Sequence, residues 1–137
     1  MSQENVEVVR EADEAFKRGD FDGFLSRTHP AIEWHSVLER VVEGPESVYR
    51  GHEGIRRLWH AYRSELDGFE VEAQELRDAG GDRVVLLGCR LRFRGPASGI
   101  ETEAPVGMVV TIRDGLITHS RDYLSHAGAL TAVGLEE

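Results

Sequence analysis

The chain is short of several things, and each shortage closes off a class of function. It has one cysteine, Cys89, in 137 residues. No internal disulfide can form, and the paired-cysteine spacing of redox and zinc motifs is excluded. Basic residues are outnumbered, 16 Lys and Arg against 25 Asp and Glu, for a formal net charge of −9. A field of that sign repels phosphate backbones and anionic lipid headgroups, so neither nucleic acid nor a membrane surface is an expected partner. No apolar run approaches the roughly 20 residues of a membrane span. The opening MSQENVEVVREADEAF is acidic where a signal peptide carries a basic region followed by an apolar one. These readings predict a cytoplasmic protein. Repeats, low-complexity tracts and linkers are also missing, which predicts a single domain over residues 1–137.

What is present is enough for a packed core. Hydrophobic residues make up 40% of the chain and charged residues 30%. A disordered chain carries fewer apolar residues than that, and a domain of this size buries enough surface to dispense with disulfides or a structural metal. Helical signals come first. Val6, Val9, Ala12 and Phe16 recur at helical spacing, ended by Arg18-Gly19. Asp20 is placed to cap a short second helix carrying Phe21, Phe24 and Leu25, stopped at His29-Pro30. A strand over Ala31–Ser36 follows, then a loop from Glu39 to Arg50. Ile55, Leu58, Trp59, Tyr62 and Leu66 form one face of a third helix.

Strands dominate the rest. Phe69, Val71 and Ala73 alternate with Glu70, Glu72 and Gln74. Arg83 to Phe93 is a long strand with Val85, Leu87, Cys89, Leu91 and Phe93 on one face and Arg90, Arg92 and Arg94 on the other. Ile100–Ile112 and Leu116–Leu124 are joined by the hairpin turn Arg113-Asp114-Gly115, and Ser125 can cap a closing helix through Val133. The order α-α-β-α-β-β-β-β-α predicts an α+β fold in which a curved, mostly antiparallel sheet wraps the N-terminal helices. The open end of such a sheet is a common place for a ligand pocket.

Three stretches carry a family resemblance. FKRGDFDGFLSRTHPAIEWHS resembles the helix–helix–strand opening of the SnoaL-like branch of the nuclear transport factor 2-like superfamily. YRGHEGIRRLWHAY is similar to its glycine-led third helix, and RDGLITHSRDYLSHAGALTAVGL to its final hairpin and tail. The resemblance implies a conical α+β fold with a pocket at the open end, usually homodimeric through the sheet. It covers polyketide cyclases, limonene epoxide hydrolases, ketosteroid isomerases, dehydratases and binding domains without activity, so the fold leaves the function open.

Each chemistry makes a demand on particular residues. By element, the tyrosine donor of the ketosteroid isomerases falls near Ala12, their carboxylate base near Ser36 and their protonated aspartic acid near Met108. None of the three has the needed chemistry. The cyclases and the epoxide hydrolases both carry an aspartate in the last strand, and both alignments put it on Asp122. Asp122 is therefore the candidate general acid or base, if burial raises its pKa. The alternative is a structural carboxylate, paired with an arginine or capping the tail. The cyclase histidine is replaced here by Ser120. The hydrolases' Arg-x-Asp finds only Gly88-Cys89-Arg90-Leu91-Arg92, with no acid.

Trp34 has the strand parity to face the third helix, where an indole either walls a pocket or packs in the core. Trp59 and Tyr62 share that choice on the third helix. With Met108 they are the candidate walls, and Ser36 and Ser120 the candidate hydroxyls that orient a substrate. His29, His35, His52, His60, His119 and His126 show no ligand spacing, so no metal or other cofactor is expected. Three readings stay open: a cofactor-free enzyme moving a proton on a small apolar organic molecule, a binding module with the same pocket, or a dimerisation domain.

Overall fold

The computed structural model describes residues 2–36, 47–65, 67–72, 75–94 and 101–134. The first helix, α1, spans Ser2–Lys17. It buries Val9, Ala12 and Ala15 and packs Val6, Val8 and Phe16 beside them, as the helical spacing requires. It ends at a left-handed Gly19, φ 75°. Asp20 then caps α2 (Phe21–Leu25), its side chain accepting the Gly23 N–H at 2.9 Å. The chain turns into β1 (Thr28–His35) sooner than expected. Pro30 therefore lies within a strand, and α2 has already ended at Leu25 when His29-Pro30 is reached.

The loop expected over Glu39–Arg50 falls partly outside the described residues. Its end forms β2 (Val48–Arg50), paired antiparallel with Glu33–His35 of β1. α3 (Gly51–Glu65) buries Ile55, Leu58 and Ala61. The Cβ that Gly54 lacks would stand 2.9 Å from the Tyr49 carbonyl carbon, so glycine lets α3 close onto β2. The strands continue as β3 (Asp67–Glu72), β4 (Glu75–Gly80), β5 (Arg83–Arg94), β6 (Glu101–Arg113) and β7 (Leu116–Tyr123), followed by α4 (His126–Ala132). β4 is an element that the alternation of apolar residues did not reveal: its residues, ELRDAG, hold only two apolar side chains.

The fold is α+β. Its sheet is curved and unclosed, with strand order β2-β1-β7-β6-β5-β3 and β4 also paired with β5. Pairing is antiparallel except between β1 and β7, which run parallel. The turns at Gly81-Asp82 and Asp114-Gly115 have positive φ at both central residues, 61° and 63° in the first and 53° and 78° in the second. That is the primed geometry whose twist matches a two-residue hairpin.

Bulges decide which side chains face which way. β5 and β6 slip register between Leu86 and Cys89, and β6 and β7 between Thr111 and Ile112. An extra residue bends a strand and reverses its parity. Ahead of the slip β5 alternates as expected: Val85 and Leu87 share a face beneath Ala129 and Leu130 of α4, and Val84 and Leu86 join the core under α1 to α3. The slip puts Cys89 out of phase with Val85 and Leu87, so the one face expected to run from Val85 to Phe93 is interrupted there. Beyond the slip the register sets Cys89 opposite Val106. Likewise Ile117 and Ser120 of β7 are both buried although their parities differ. In backbone register Arg92 pairs with Glu103 and Arg94 with Glu101 of β6, and Glu70 and Glu72 of β3 pair with Arg92 and Arg90. No helix among the described residues is long and apolar enough to cross a membrane.

Candidate functional site

A cavity lies between the N-terminal helices and the inner face of the sheet. Val9, Ala12 and Phe16 of α1 form one side, with Phe24 of α2 and Ile55, Leu58 and Trp59 of α3. The sheet contributes Trp34, Leu86, Met108, Val110 and Ile117. The room for the centre of a water-sized sphere is about 60 Å³. Among the described residues the wall is apolar except for Asp13 of α1, which is ion-paired with Lys17 at 3.0 Å one turn on.

Three of the expected wall residues, Trp34, Trp59 and Met108, line this cavity. The Tyr62 side chain lies outside the described residues. Ser36, Ser120 and Asp122 are all buried on the same face of the sheet but are not in the cavity wall. Ser36 follows the end of β1, its N–H donating to the Ser47 carbonyl at 2.9 Å. Ser120 lies beside Trp34 in the parallel pairing and opposite Val110 in the antiparallel one. Asp122 lies opposite Met108. The carboxyl thus sits against two side chains of the wall, one residue away from the void.

Asp122 is 5% exposed and Ser120 1%. The Trp34 indole Nε1–H donates to Asp122 Oδ2 at 3.3 Å. Asp122 Oδ1 and Ser120 Oγ have no hydrogen-bond partner among the described residues. Removal from water disfavours the charged form, and burial pushes the Asp122 carboxyl up to about 7, the Trp34 hydrogen bond opposing it. The tail has its own cap, since Ser125 Oγ accepts the Gly128 N–H at 2.9 Å. Arg121, next in the chain, points to the other face and bonds the His35 ring at 3.2 Å.

That outer face shows the opposite electrostatics. Glu33, one residue from Trp34, accepts from His35 Nε2 at 2.7 Å and lies 3.4 Å from Arg50 Nε. The His35 hydrogen bond, with Arg50 beside it, holds its carboxyl below the usual range. His119 is exposed on the same side, so it and Asp122 lie on different faces. Among the described residues no group of three His, Cys, Asp or Glu is placed to hold a metal ion.

Residues 9–120 match the model of the SnoaL-like domain. The chain belongs to the SnoaL-like family. Solved structures agree on the fold. TerC, crystallised with polyporic acid, is 24% identical over 95% of this chain and 98% of its own, with a TM-score of 0.75. A Catenulispora acidiphila protein with a ketosteroid isomerase-like fold, in complex with trimethylamine, is 16% identical over 94% and 93%, TM-score 0.69. An LEH-like epoxide hydrolase of M. tuberculosis is 20% identical over 96% and 90%, TM-score 0.68. No curated protein matches.

Of the three positions expected by element to match the isomerase machinery, Ala12 and Met108 lie in the apolar wall of this SnoaL-like chain and Ser36 lies outside it. Sequence reasoning missed Asp13, Phe16 and Phe24 as site residues. The two phenylalanines were legible as core positions of their helices. Nothing in helical spacing says which core residues border a void. Asp13 follows Ala12 on the edge of the apolar stripe, and a charge there reads as solvated surface.

Proposed function

We propose that the chain, as one SnoaL-like domain over residues 1–137, binds a small, largely apolar organic molecule in this cavity, and that Asp122 moves a proton on it. One observation carries the reading: a buried carboxyl with one oxygen unpartnered, set against Trp34 and Met108, which wall the void. A carboxyl titrating near 7 both gives and takes a proton at neutral pH, where general acid–base catalysis works best. Ser120 Oγ, also unpartnered among the described residues, supplies a hydroxyl that orients the substrate, and Ser36 a second. The reaction class is proton transfer without a cofactor, as in cyclisation, isomerisation, dehydration or hydrolysis. Structural neighbours crystallised with polyporic acid or trimethylamine support a small-molecule pocket in this fold.

The position of Asp122 behind the wall favours a second reading, binding without turnover. The two separate in one experiment. Molecules recovered with the purified protein from a lysate are identified by mass spectrometry and offered to the wild type and to Asp122→Asn. An enzyme keeps its affinity and loses turnover in the variant; a binding module shows no turnover in either. The homodimer implied by the family is part of the same proposal, and sedimentation of the purified chain tests it.

A further inference from the structure

Among the described residues the cavity wall combines aromatic rings with one acidic side chain and no basic one. Phe16, Phe24, Trp34 and Trp59 reach it from four different elements, α1, α2, β1 and α3. Phe16 meets Trp59 edge to face, centroids 5.1 Å apart at 80°. Phe24 stands between the two indoles, 5.9 Å from Trp59 and 6.0 Å from Trp34. Four rings thus bring their quadrupoles, negative on the faces, to one wall. A cation within about 6 Å of such faces is attracted, most strongly by tryptophan.

The charges agree in sign. Asp13, ion-paired with Lys17 at 3.0 Å, is the charged residue of the wall, and no lysine, arginine or histidine lines it among the described residues. Asp122 acts through the indole. Its Oδ2 takes the Trp34 N–H, and once that carboxyl is ionised, above about pH 7, it enriches the electron density on the indole's faces. A void meant for an organic anion would set these carboxyls against its ligand. A pure hydrocarbon would gain nothing from them, and a buried acid is costly without a partner.

We propose that the cavity is selective for an organic cation, a methylated ammonium group on a short carbon body. The proposal rests on the reading that the cavity holds a small molecule, and it names the class. A methylated ammonium holds its water weakly, so it enters an apolar wall where a primary ammonium or guanidinium would not. Size agrees: the centre of a water needs about 10–15 Å³ of room, so about 60 Å³ admits a group of a few non-hydrogen atoms with the side chains in place.

The test compares choline with its neutral isostere, 3,3-dimethylbutan-1-ol, which replaces the charged nitrogen by carbon. Binding to the full chain is followed by NMR chemical-shift titration. Choline should bind about tenfold more tightly than the alcohol. At pH 8, Phe24→Leu, which keeps an apolar wall but removes a ring, and Asp122→Asn should each weaken choline more than the alcohol, so that the tenfold preference falls to about twofold or less. Two variants on different elements keep the test open if one fails to fold. Equal or tighter binding of the alcohol overturns the cation proposal and leaves the small-molecule reading standing. Binding of neither probe, with no shift of the cavity residues, overturns both.

Discussion

The Trp34 indole N–H donates to Asp122 Oδ2 across the parallel pairing of β1 and β7, tying residues 88 positions apart in the chain. This bond holds the carboxyl against the cavity wall and is the one interaction that favours its charged form. Trp34→Phe keeps an aromatic ring and removes the donor. The Asp122 carboxyl should then titrate above its present value of about 7, and the fold should lose about 1 kcal/mol, the usual worth of a buried hydrogen bond. Carboxyl-detected NMR titration checks the first and denaturant unfolding the second. A carboxyl that titrates lower in Trp34→Phe would show that the indole does not stabilise the anion.

The same group makes stability depend on pH. Its carboxyl has a folded pKa of about 7 against 3.8 for a free aspartate side chain. The folded state therefore holds a proton that the unfolded state has released, and between those values the unfolded state binds fewer protons. Stability from this group is full below about pH 4 and is lost as pH rises through about 7, by an amount on the order of 4 kcal/mol. Asp122→Asn, neutral at every pH, should remove that part of the slope and be the more stable protein at pH 8. The check is urea unfolding of both proteins from pH 4 to pH 8; parallel curves would show that the carboxyl is not desolvated.

A close approach on the other side of the sheet gives a purely structural prediction. A Cβ on Gly107 would stand 2.7 Å from the Ala129 Cβ and 3.0 Å from the Ser125 carbonyl oxygen. Glycine is what lets α4 lie down on β6 here. Gly107→Ala should push α4 outward and cost about 1–3 kcal/mol, the range for overpacking. Hydrogen exchange should show lost protection confined to α4 and its bed of Val85 and Leu87. Unchanged protection there would show that the helix yields without cost.

Local signals were legible in the sequence wherever one residue type settles a local geometry. Asp20 and Ser125 sit at helix starts and accept the N–H three residues on. Asp114-Gly115 makes its hairpin. The inward parity of Trp34, Ser120 and Asp122 also followed from alternation. What alternation could not show was the bulges. Val85 and Leu87 were read with Cys89 on one face, but the slip at Leu86/Cys89 depends on tertiary packing against two different helices. The parallel β1–β7 pairing is non-local for the same reason: no pattern within either strand names its partner. The void beside Phe24 and Asp13 is a property of how well side chains fill space, which composition does not contain.

Filling the void tests that it exists. Ala12 and Ala15 lie on one helix face, 3% and 0% exposed, but only Ala12 lines the cavity. A leucine at either position adds the same three carbon atoms. At Ala15 they meet a packed core, and overpacking should cost about 1–3 kcal/mol. At Ala12 they enter the void, where new contacts offset the strain, so Ala12→Leu should cost well under about 1 kcal/mol and could stabilise the fold. The two substitutions should also separate in binding. A ligand raises the melting temperature of the protein it binds by mass action. With choline as the probe, that rise should persist in Ala15→Leu, measured below its lower melting point, and vanish in Ala12→Leu. If both variants lose the same stability and both keep the ligand-induced rise, the space beside Ala12 is not where the ligand goes.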